Sequence, residues 1–84
     1  MTLASRIKDH IVREYLAGDG ADLELDTPLF GLNIIDSVAV FDLVGFLSRE
    51  AGVTVTIDRV KIENFATIAA MVRMVEGIGD QVRR

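Results

Sequence analysis

Residues 36–52 read DSVAVFDLVGFLSREAG, and this stretch decides the fold. The pattern predicts a helix over residues 37–51, because a capping residue precedes it and Gly52 follows it. Apolar side chains nearly encircle this helix between residues 38 and 48, where the polar exceptions are Asp42 and Ser48. A helix of this composition is either central to a bundle or docks a partner with its remaining face, and the two roles are compatible.

An amphipathic helix is predicted at the start of the chain. Thr2 is a suitable N-cap, and Gly18 and Gly20 are expected to end the helix. One apolar stripe recurs at every fourth position and consists of Leu3, Ile7, Ile11 and Tyr15. His10 is expected to be a surface or half-buried residue without a catalytic role.

The segment between these helices is a long loop rich in apolar residues, namely Leu23, Leu25, Leu29, Phe30, Leu32, Ile34 and Ile35. A free linker would not carry so many, so the loop is expected to be ordered against the core. Within it, Thr27 and Pro28 are expected to cap and start one short turn. The spacing of its acids does not fit an EF-hand loop, so we predict no metal site among Asp19, Asp22, Glu24 and Asp26.

Downstream of Gly52, residues 53–57 alternate like a strand, but an otherwise helical chain offers no strand to pair with them. We expect an extended connector instead. A short third helix is predicted to follow, with Asp58 as its cap and its body running through Val60 to Ile62.

The last helix is predicted to begin after Thr67 as its N-cap, to be anchored by Phe65, and to end at Gly77. Its apolar stripe and packing methionine are Ile68, Met71, Val72, Met74 and Val75. Residues from about 78 to 84, which include the segment Gly79–Arg84, are expected to form a frayed tail.

These elements together predict an all-α fold, a small four-helix bundle in one domain over residues 1–84. It has three main helices, one short helix and a long ordered loop between the first and second helices. A three-helix DNA-binding domain has a similar helix count but presents a basic recognition helix. Residues 37–47 contain one acid and no base, which argues against that fold.

Composition excludes several kinds of site. The chain has 84 residues, near the lower limit for a self-sufficient core, and only five of them are aromatic. The absence of cysteine excludes disulfides and thiolate metal sites, and a single histidine excludes a histidine metal cluster or a conventional catalytic triad. No stretch is long enough to span a membrane and no signal peptide is evident, so a cytoplasmic protein is expected.

The net charge of −4 is unevenly distributed. Seven acids and no Lys or Arg lie between residues 14 and 48. This acidic half disfavours nucleic acid as a partner, and it serves either to steer basic protein partners or for solubility alone. Repulsion among these acids predicts that salt or divalent cations raise the melting temperature.

Ser37 has two interpretations on physical grounds. At the start of a helix, the pair Asp36-Ser37 is most often a cap, with the carboxylate accepting backbone N–H groups. Alternatively, Ser37 is a site of modification, because a phosphodiester there would lie near the positive end of the helix dipole. No neighbouring base activates it and no hydrolase-type Gly-x-Ser-x-Gly turn surrounds it, so a second enzyme would have to supply catalysis.

The residues around Ser37 resemble the phosphopantetheine attachment site of acyl carrier proteins. Residues 32–38 read LNIIDSV, in which Asp-Ser and a following apolar residue match the family's Asp-Ser-Leu motif. The resemblance extends over roughly residues 29–75 and includes Leu43, Leu47, Phe65, Thr67 and Ile68. It implies a small acidic four-helix bundle without catalysis of its own. In that family the matching serine carries 4′-phosphopantetheine, which holds an acyl or aminoacyl group as a thioester.

The resemblance also implies partners: a phosphopantetheinyl transferase, an acyl- or aminoacyl-loading ligase or acyltransferase, and downstream synthases or modifying enzymes, acting on a monomer. We expect a docking patch beside Ser37, with Ala39 and Val40 exposed, that consists of Asp36, Val38, Ala39, Val40 and Asp42. Apolar residues expected to line the bundle interior and accept short acyl chains are Val38, Phe41, Phe46, Leu47, Ile62, Phe65, Ile68 and Val72.

Several positions depart from the carriers of bacterial fatty-acid synthesis, whose second helix is strongly acidic. Commonly acidic positions are occupied here by Ala39, Ser48, Arg49, Arg59 and Lys61. The sequence is more similar to discrete carriers of secondary metabolism, such as polyketide or nonribosomal peptide biosynthesis.

Two other functions remain open from the residues alone. One is a helical interaction module in which Ser37 is only a helix-start residue. The other, a small enzyme, is poorly supported, because no set of base, nucleophile and oxyanion donors can be assembled.

Overall fold

The computed structural model describes residues 2–20 and 22–82, with side chains as far as residue 79. It contains helices α1 (Leu3–Tyr15), α2 (Ser37–Ala51), α3 (Ile62–Phe65) and α4 (Ile68–Val82), and a 3₁₀ turn over Ile57–Arg59. No strand occurs in this part of the chain. The predicted all-α bundle of three main helices and one short helix is therefore confirmed.

Helix α1 begins as predicted. Thr2 has an extended backbone, and its Oγ1 accepts the N–H of Ser5 at 3.1 Å. The helix ends at Tyr15, and the Gly18 N–H then returns to the Val12 carbonyl at 2.9 Å. Gly18 has φ of +87°, a conformation that glycine adopts without a steric penalty.

The loop between α1 and α2 is anchored to the junction of α3 and α4 by backbone hydrogen bonds. The Leu29 N–H donates to the Ala66 carbonyl at 2.8 Å, and the Ala69 N–H donates to the Leu25 carbonyl at 3.0 Å. Its buried side chains are Leu23, Leu29 and Ile35. Leu25 and Leu32 were expected against the core, but they are 50% and 60% exposed. Leu25 contributes its carbonyl to the anchor rather than its side chain.

The turn after Pro28 is present, since its carbonyl accepts the Leu32 N–H at 3.0 Å. The predicted role of Thr27 as its cap is wrong. Thr27 Oγ1 accepts the N–H of Glu24 at 2.7 Å, so this side chain closes the preceding turn.

The segment after α2 differs from the prediction of one short helix capped by Asp58. Asp58 lies inside the 3₁₀ turn, and its carboxylate accepts the Thr56 hydroxyl, which lowers the pKa of Asp58. The Val60 N–H closes that turn on the Ile57 carbonyl at 3.1 Å. Helix α3 then begins at Ile62 without a side-chain cap.

Helix α4 begins where predicted, because Thr67 Oγ1 accepts the Ala70 N–H at 3.0 Å. The prediction that Gly77 ends it is wrong, since α4 continues to Val82. Ile78 is buried on the stripe of Met74 and Val75, and that packing outweighs the low helix propensity of one glycine. The residues predicted to fray are helical from 78 to 82, and residues 83 and 84 lie outside the described part.

The core is largely aliphatic, with Phe65 as its largest fully buried side chain. The other fully buried large residues come from α1, the loop, α2 and α4, and they are Ile7, Ile11, Leu29, Leu43, Leu47, Ile68 and Met71. Within residues 2–20 and 22–82, every helix is too short or too polar to cross a membrane.

Candidate functional site

Ser37 is the first residue of α2, and its side chain is exposed. The preceding residue, Asp36, is the N-cap: its Oδ1 accepts the Ala39 N–H at 2.9 Å. The Asp36 carbonyl accepts the Val40 N–H at 3.3 Å. The capping interpretation is thus confirmed for Asp36 and leaves the Ser37 hydroxyl without a part in it.

The loop immediately before Ser37 is held in a defined conformation. The Leu29 carbonyl accepts the N–H groups of Ile34 and Ile35 at 2.9 and 3.3 Å. Asn33 has φ of +57°, a conformation that asparagine tolerates better than most residues. Ile35 is buried two residues before Ser37, so the chain is pinned just where the hydroxyl is presented.

The start of α2 suits a phosphate ester. The first N–H groups of a helix have no intrahelical acceptor, and Asp36 Oδ1 takes only that of Ala39. Those amides and the helix dipole favour negative charge near the Ser37 hydroxyl. An exposed hydroxyl at this position is therefore compatible with a phosphodiester, which requires an accessible oxygen and tolerance for charge.

An open apolar groove of about 320 Å³ lies next to Ser37 and separates α2 from the α3 region. Its lining residues are Phe30, Ser37, Val40, Phe41, Val60, Lys61 and Ile62. Three residues predicted to line the interior are instead exposed, with Val38 at 73%, Phe41 at 75% and Ile62 at 68%. The rest of that predicted set lies inside, with Val72 only half buried.

The predicted exposure of two residues of the docking patch is wrong. Ala39 and Val40 were expected to be exposed, but their exposed fractions are 4% and 8%. A helix turns about 100° per residue, so these two lie on the same side as Leu43 and Leu47, which face the core. Because α2 is apolar on nearly all sides, its sequence alone does not indicate which side is buried.

Asp42, the second acid of the predicted patch, connects α1 to α2. Its Oδ2 lies 2.7 Å from His10 Nε2 and accepts the Tyr15 hydroxyl at 2.7 Å. An ionised carboxylate can only accept, so the imidazole donates from Nε2. We call His10, Tyr15 and Asp42 the clasp.

Hydrogen bonding and burial in the clasp shift the pKa values of two of its members. Hydrogen bonds from Tyr15 and then His10 lower the pKa of Asp42. Burial, followed by the hydrogen bond to Asp42, raises the pKa of Tyr15 above its usual range. His10 also stacks on Phe46, with ring centroids 4.1 Å apart.

His10 was expected at the surface or half buried, and it is in fact 9% exposed. It is the one buried polar side chain in the described part of the chain. A signal was present in the sequence. His10 follows Ile7 by three residues and precedes Ile11, so it belongs to the buried stripe of α1 and needs a polar partner.

No group of three or more His, Cys, Asp or Glu side chains in residues 2–20 and 22–79 is arranged to hold a metal ion. Asp19, Asp22, Glu24 and Asp26 are exposed on the loop. The site consists of one exposed serine, a capped helix start and an adjacent apolar groove.

Comparison with known proteins then identifies the family. The protein-family model described as "Phosphopantetheine attachment site" matches residues 1–75. The chain belongs to this family. It is 43% identical over 74 residues to a protein named "Probable acyl carrier protein PigG" from Serratia sp. (strain ATCC 39006), covering 88% of this chain and 85% of the relative.

A solved structure titled "Crystal structure of FAD-dependent dehydrogenase" contains a chain of the same fold, with a TM-score of 0.72 and 26% identity. The match covers 82% of this carrier and 97% of that chain. The protein is an acyl carrier protein, and its prosthetic group is 4′-phosphopantetheine. The arm supplies a terminal thiol that holds an acyl or aminoacyl group as a thioester.

Proposed function

We propose that Ser37 is the residue that carries the arm, through a phosphodiester on its Oγ. The observation that carries this proposal is an exposed serine at the first position of α2, behind a cap that Asp36 already provides. Modification of the Ser37 hydroxyl therefore removes no interaction that stabilises the fold. The open groove beside it leaves space for the modifying enzyme.

The carrier itself catalyses no step in this proposal. A phosphopantetheinyl transferase attaches the arm, a ligase or acyltransferase loads it, and downstream enzymes act on the cargo while the carrier remains a cytoplasmic monomer. We assign it to secondary metabolism because bases stand at commonly acidic positions of α2 and the α3 region, notably Arg49 and Lys61.

Intact mass spectrometry tests the attachment residue. Incubation with coenzyme A and a purified phosphopantetheinyl transferase should add the mass of one arm to the wild type and none to Ser37→Ala. Ser48→Ala is the matched control, because Ser48 lies on the same helix, and it should be modified normally. Circular dichroism should show that both variants are folded. A modified Ser37→Ala, or an unmodified wild type, would overturn the assignment.

The structural comparison supports a proposal about one class of downstream enzyme. The matched chain in the structure titled as an FAD-dependent dehydrogenase is almost fully covered by this carrier. We therefore propose such a dehydrogenase as a partner that takes two electrons from the cargo. Anaerobic mixing with the loaded carrier should bleach the oxidised flavin absorbance. Cargo presented on free pantetheine should react more slowly, and equal rates would argue against a role for the carrier.

A further inference from the structure

Two recesses of different charge lie near Ser37. One includes Tyr15 of α1, has a volume of about 280 Å³, and is lined by Tyr15, Asn33, Ile34, Ile35 and Asp36. The other is the apolar groove described above, where Lys61 is the one charged side chain among the described lining residues. A negative group attached to Ser37 therefore meets different charges on its two sides.

Carboxylates act on the recess that includes Tyr15. Asp36 lines it, and Asp42 accepts the Tyr15 hydroxyl. Beyond the effects of burial and of that hydrogen bond, the negative charges of Asp42, Glu14 and Asp36 each raise the pKa of Tyr15. Like charges repel, so a phosphodiester on Ser37 is disfavoured on this side and favoured on the side of Lys61.

The backbone of Lys61 is held in place beside the groove. Its N–H donates to the Arg59 carbonyl at 3.0 Å, and its carbonyl accepts the Asn64 N–H at 3.0 Å. The Asn64 side chain also donates to the Arg59 carbonyl, at 2.8 Å. Lys61 itself is exposed, so its ammonium moves on a flexible four-carbon stem that starts from a fixed position.

In the unmodified chain, Lys61 acts weakly on the carboxylate of Asp58. The hydrogen bond from Thr56 is the main cause of the lowered pKa of Asp58, and the positive charges of Arg59 and Lys61 contribute less. Lys61 forms no salt bridge with any described side chain, and Asp58 is exposed. Water screens the attraction between exposed charges, so Lys61 can leave Asp58 at little cost in free energy.

We propose that Lys61 binds the phosphodiester that joins the arm to Ser37, and that it thereby holds the first part of the arm against the groove. This inference rests on the proposed function, because only a modified Ser37 carries a phosphodiester. Lys61 is then a positioning residue. Modification of Ser37 changes its partner from the carboxylate of Asp58 to the phosphodiester.

The groove strengthens this pairing relative to one in open water. Its apolar walls are formed by Phe30, Val40, Phe41, Val60 and Ile62. Such walls limit the water around the ammonium and the phosphodiester, which reduces the screening between them. The groove is open, so the ion pair remains a modest one whose strength depends on salt.

The test compares two lysines in one molecule. Lys8 and Lys61 are the only lysines of the chain, and Lys8 lies on α1 and does not line the groove. Brief acetylation by an N-hydroxysuccinimide ester, followed by proteolysis and mass spectrometry, gives the ratio of their labelling rates. Attachment of the arm should lower the Lys61-to-Lys8 ratio by about threefold at low salt, because an ammonium bound to an anion is less available to the reagent.

Salt distinguishes an ion pair from simple shielding by the arm. In about 0.5 M NaCl, the ratio in the modified wild type should return most of the way to its value before modification. Shielding of Lys61 by the bulk of the arm would persist in salt. Ser37→Ala is the control for the incubation itself, and its ratio should be the same before and after exposure to coenzyme A and the transferase.

The pKa of Asp58 gives a second readout. Measured by NMR titration of its carboxyl carbon, it should rise by a few tenths when the wild type is modified, because Lys61 then acts on the phosphodiester instead. The rise should be smaller in Lys61→Gln, which has no charge to withdraw, and it should return in Lys61→Arg. Lys61 is exposed, so both variants should melt close to the wild type.

The outcomes separate the two proposals. A wild type that never accepts the arm overturns the proposed function and the role of Lys61 with it. Complete modification of Ser37 with an unchanged labelling ratio overturns the role of Lys61 alone. A fall in the ratio that salt does not reverse would show that the arm covers Lys61 without an ion pair. Equal rises in the pKa of Asp58 in the wild type and Lys61→Gln would show that Lys61 does not change its partner, and either result also overturns the proposal.

Discussion

The two sides of α2 differ in what their side chains do. Toward α1, the clasp closes a set of hydrogen bonds and places His10 on Phe46. Toward solvent, Val38 and Phe41 are exposed and unused by the described fold. On this helix Asp42 thus contributes to stability, whereas the apolar side chains of Val38 and Phe41, unlike those of Leu43 and Leu47, are exposed and do not contribute to the core. Stability and function should consequently respond to different substitutions along one helix.

The largest loss of stability should follow a substitution in the core. The same substitution on the exposed side of α2 should cause almost none. Phe65 is fully buried, so Phe65→Ala should destabilise the protein by about 3–5 kcal/mol. That is much of the ~5–15 kcal/mol typical of a whole domain. Urea unfolding followed by circular dichroism should find the variant largely unfolded or molten, and a poor transferase substrate despite an intact Ser37.

Phe41→Ala is the matched control for that loss, since it removes the same atoms from an exposed site. Its unfolding free energy should stay within about 0.5 kcal/mol of the wild type. Near-wild-type melting of Phe65→Ala would show that Phe65 is peripheral. A large loss in Phe41→Ala would mean that the solvent side of α2 does support the fold.

A smaller loss is expected from the clasp. Asp42→Ala removes two hydrogen bonds to a charged group and leaves the buried His10 without its acceptor. Because the Asp42 side chain is 44% exposed, solvent screening limits the loss to about 1–2 kcal/mol. Asp26→Ala, at an exposed loop acid, should change stability by no more than about 0.5 kcal/mol. A double-mutant cycle of Asp42→Ala with Tyr15→Phe should give a clear coupling energy, and additivity would rule out the clasp.

The sequence predicts the features of the fold that depend on residues close together in the chain. It does not predict those that depend on contacts between distant residues. The bounds of α2 and the caps at Thr2, Asp36 and Thr67 were predictable, because each depends on residues three or four apart. Gly77 was misjudged because a local stop signal competes with burial of Ile78, which only the packed structure reveals.

The candidate site divides in the same way. The motif around Ser37 is local and was readable, whereas the buried side of α2 was not, since an all-apolar helix carries no preferred direction. His10 and Asp42 are 32 residues apart, so their contact depends on how α1 crosses α2. The position of His10 on the buried stripe of α1 could have indicated that it needs a polar partner, but not which residue that partner is.

The free energy of unfolding should depend on pH through two members of the clasp, Asp42 at acid pH and Tyr15 at alkaline pH. The pKa of Asp42 is lowered in the folded protein, so its contribution is complete above the unfolded value of about 4 and is lost as pH falls through the folded pKa. The pKa of Tyr15 is raised, so its contribution is complete below about 10 and is lost as pH rises further.

Urea unfolding between pH 3 and 11 should therefore show two changes. The stability difference between wild type and Asp42→Ala should be flat near neutrality and shrink below about pH 4. The difference between wild type and Tyr15→Phe should shrink above about pH 10. The lowered pKa of Asp58 affects the stability of the wild type and of both variants equally, so it cancels in these differences. A difference that is constant across the acid range would show that Asp42 has the same pKa folded and unfolded.

The smallest change in stability should come from added salt. Its sign shows whether repulsion between like charges or attraction between opposite charges is larger in the folded protein. Repulsion among the seven acids between residues 14 and 48 destabilises the fold, and NaCl screens it. A gain of about 0.5 kcal/mol corresponds to a rise in melting temperature of roughly 2–4 °C for a domain this size. MgCl₂ at equal ionic strength should act similarly, because both salts act by screening. Glu24→Gln with Asp26→Asn, which removes two of these acids, should gain less from NaCl than the wild type. A wild-type melting temperature that falls in NaCl would mean that attraction between opposite charges, as at Arg6–Glu50, exceeds the repulsion among these acids.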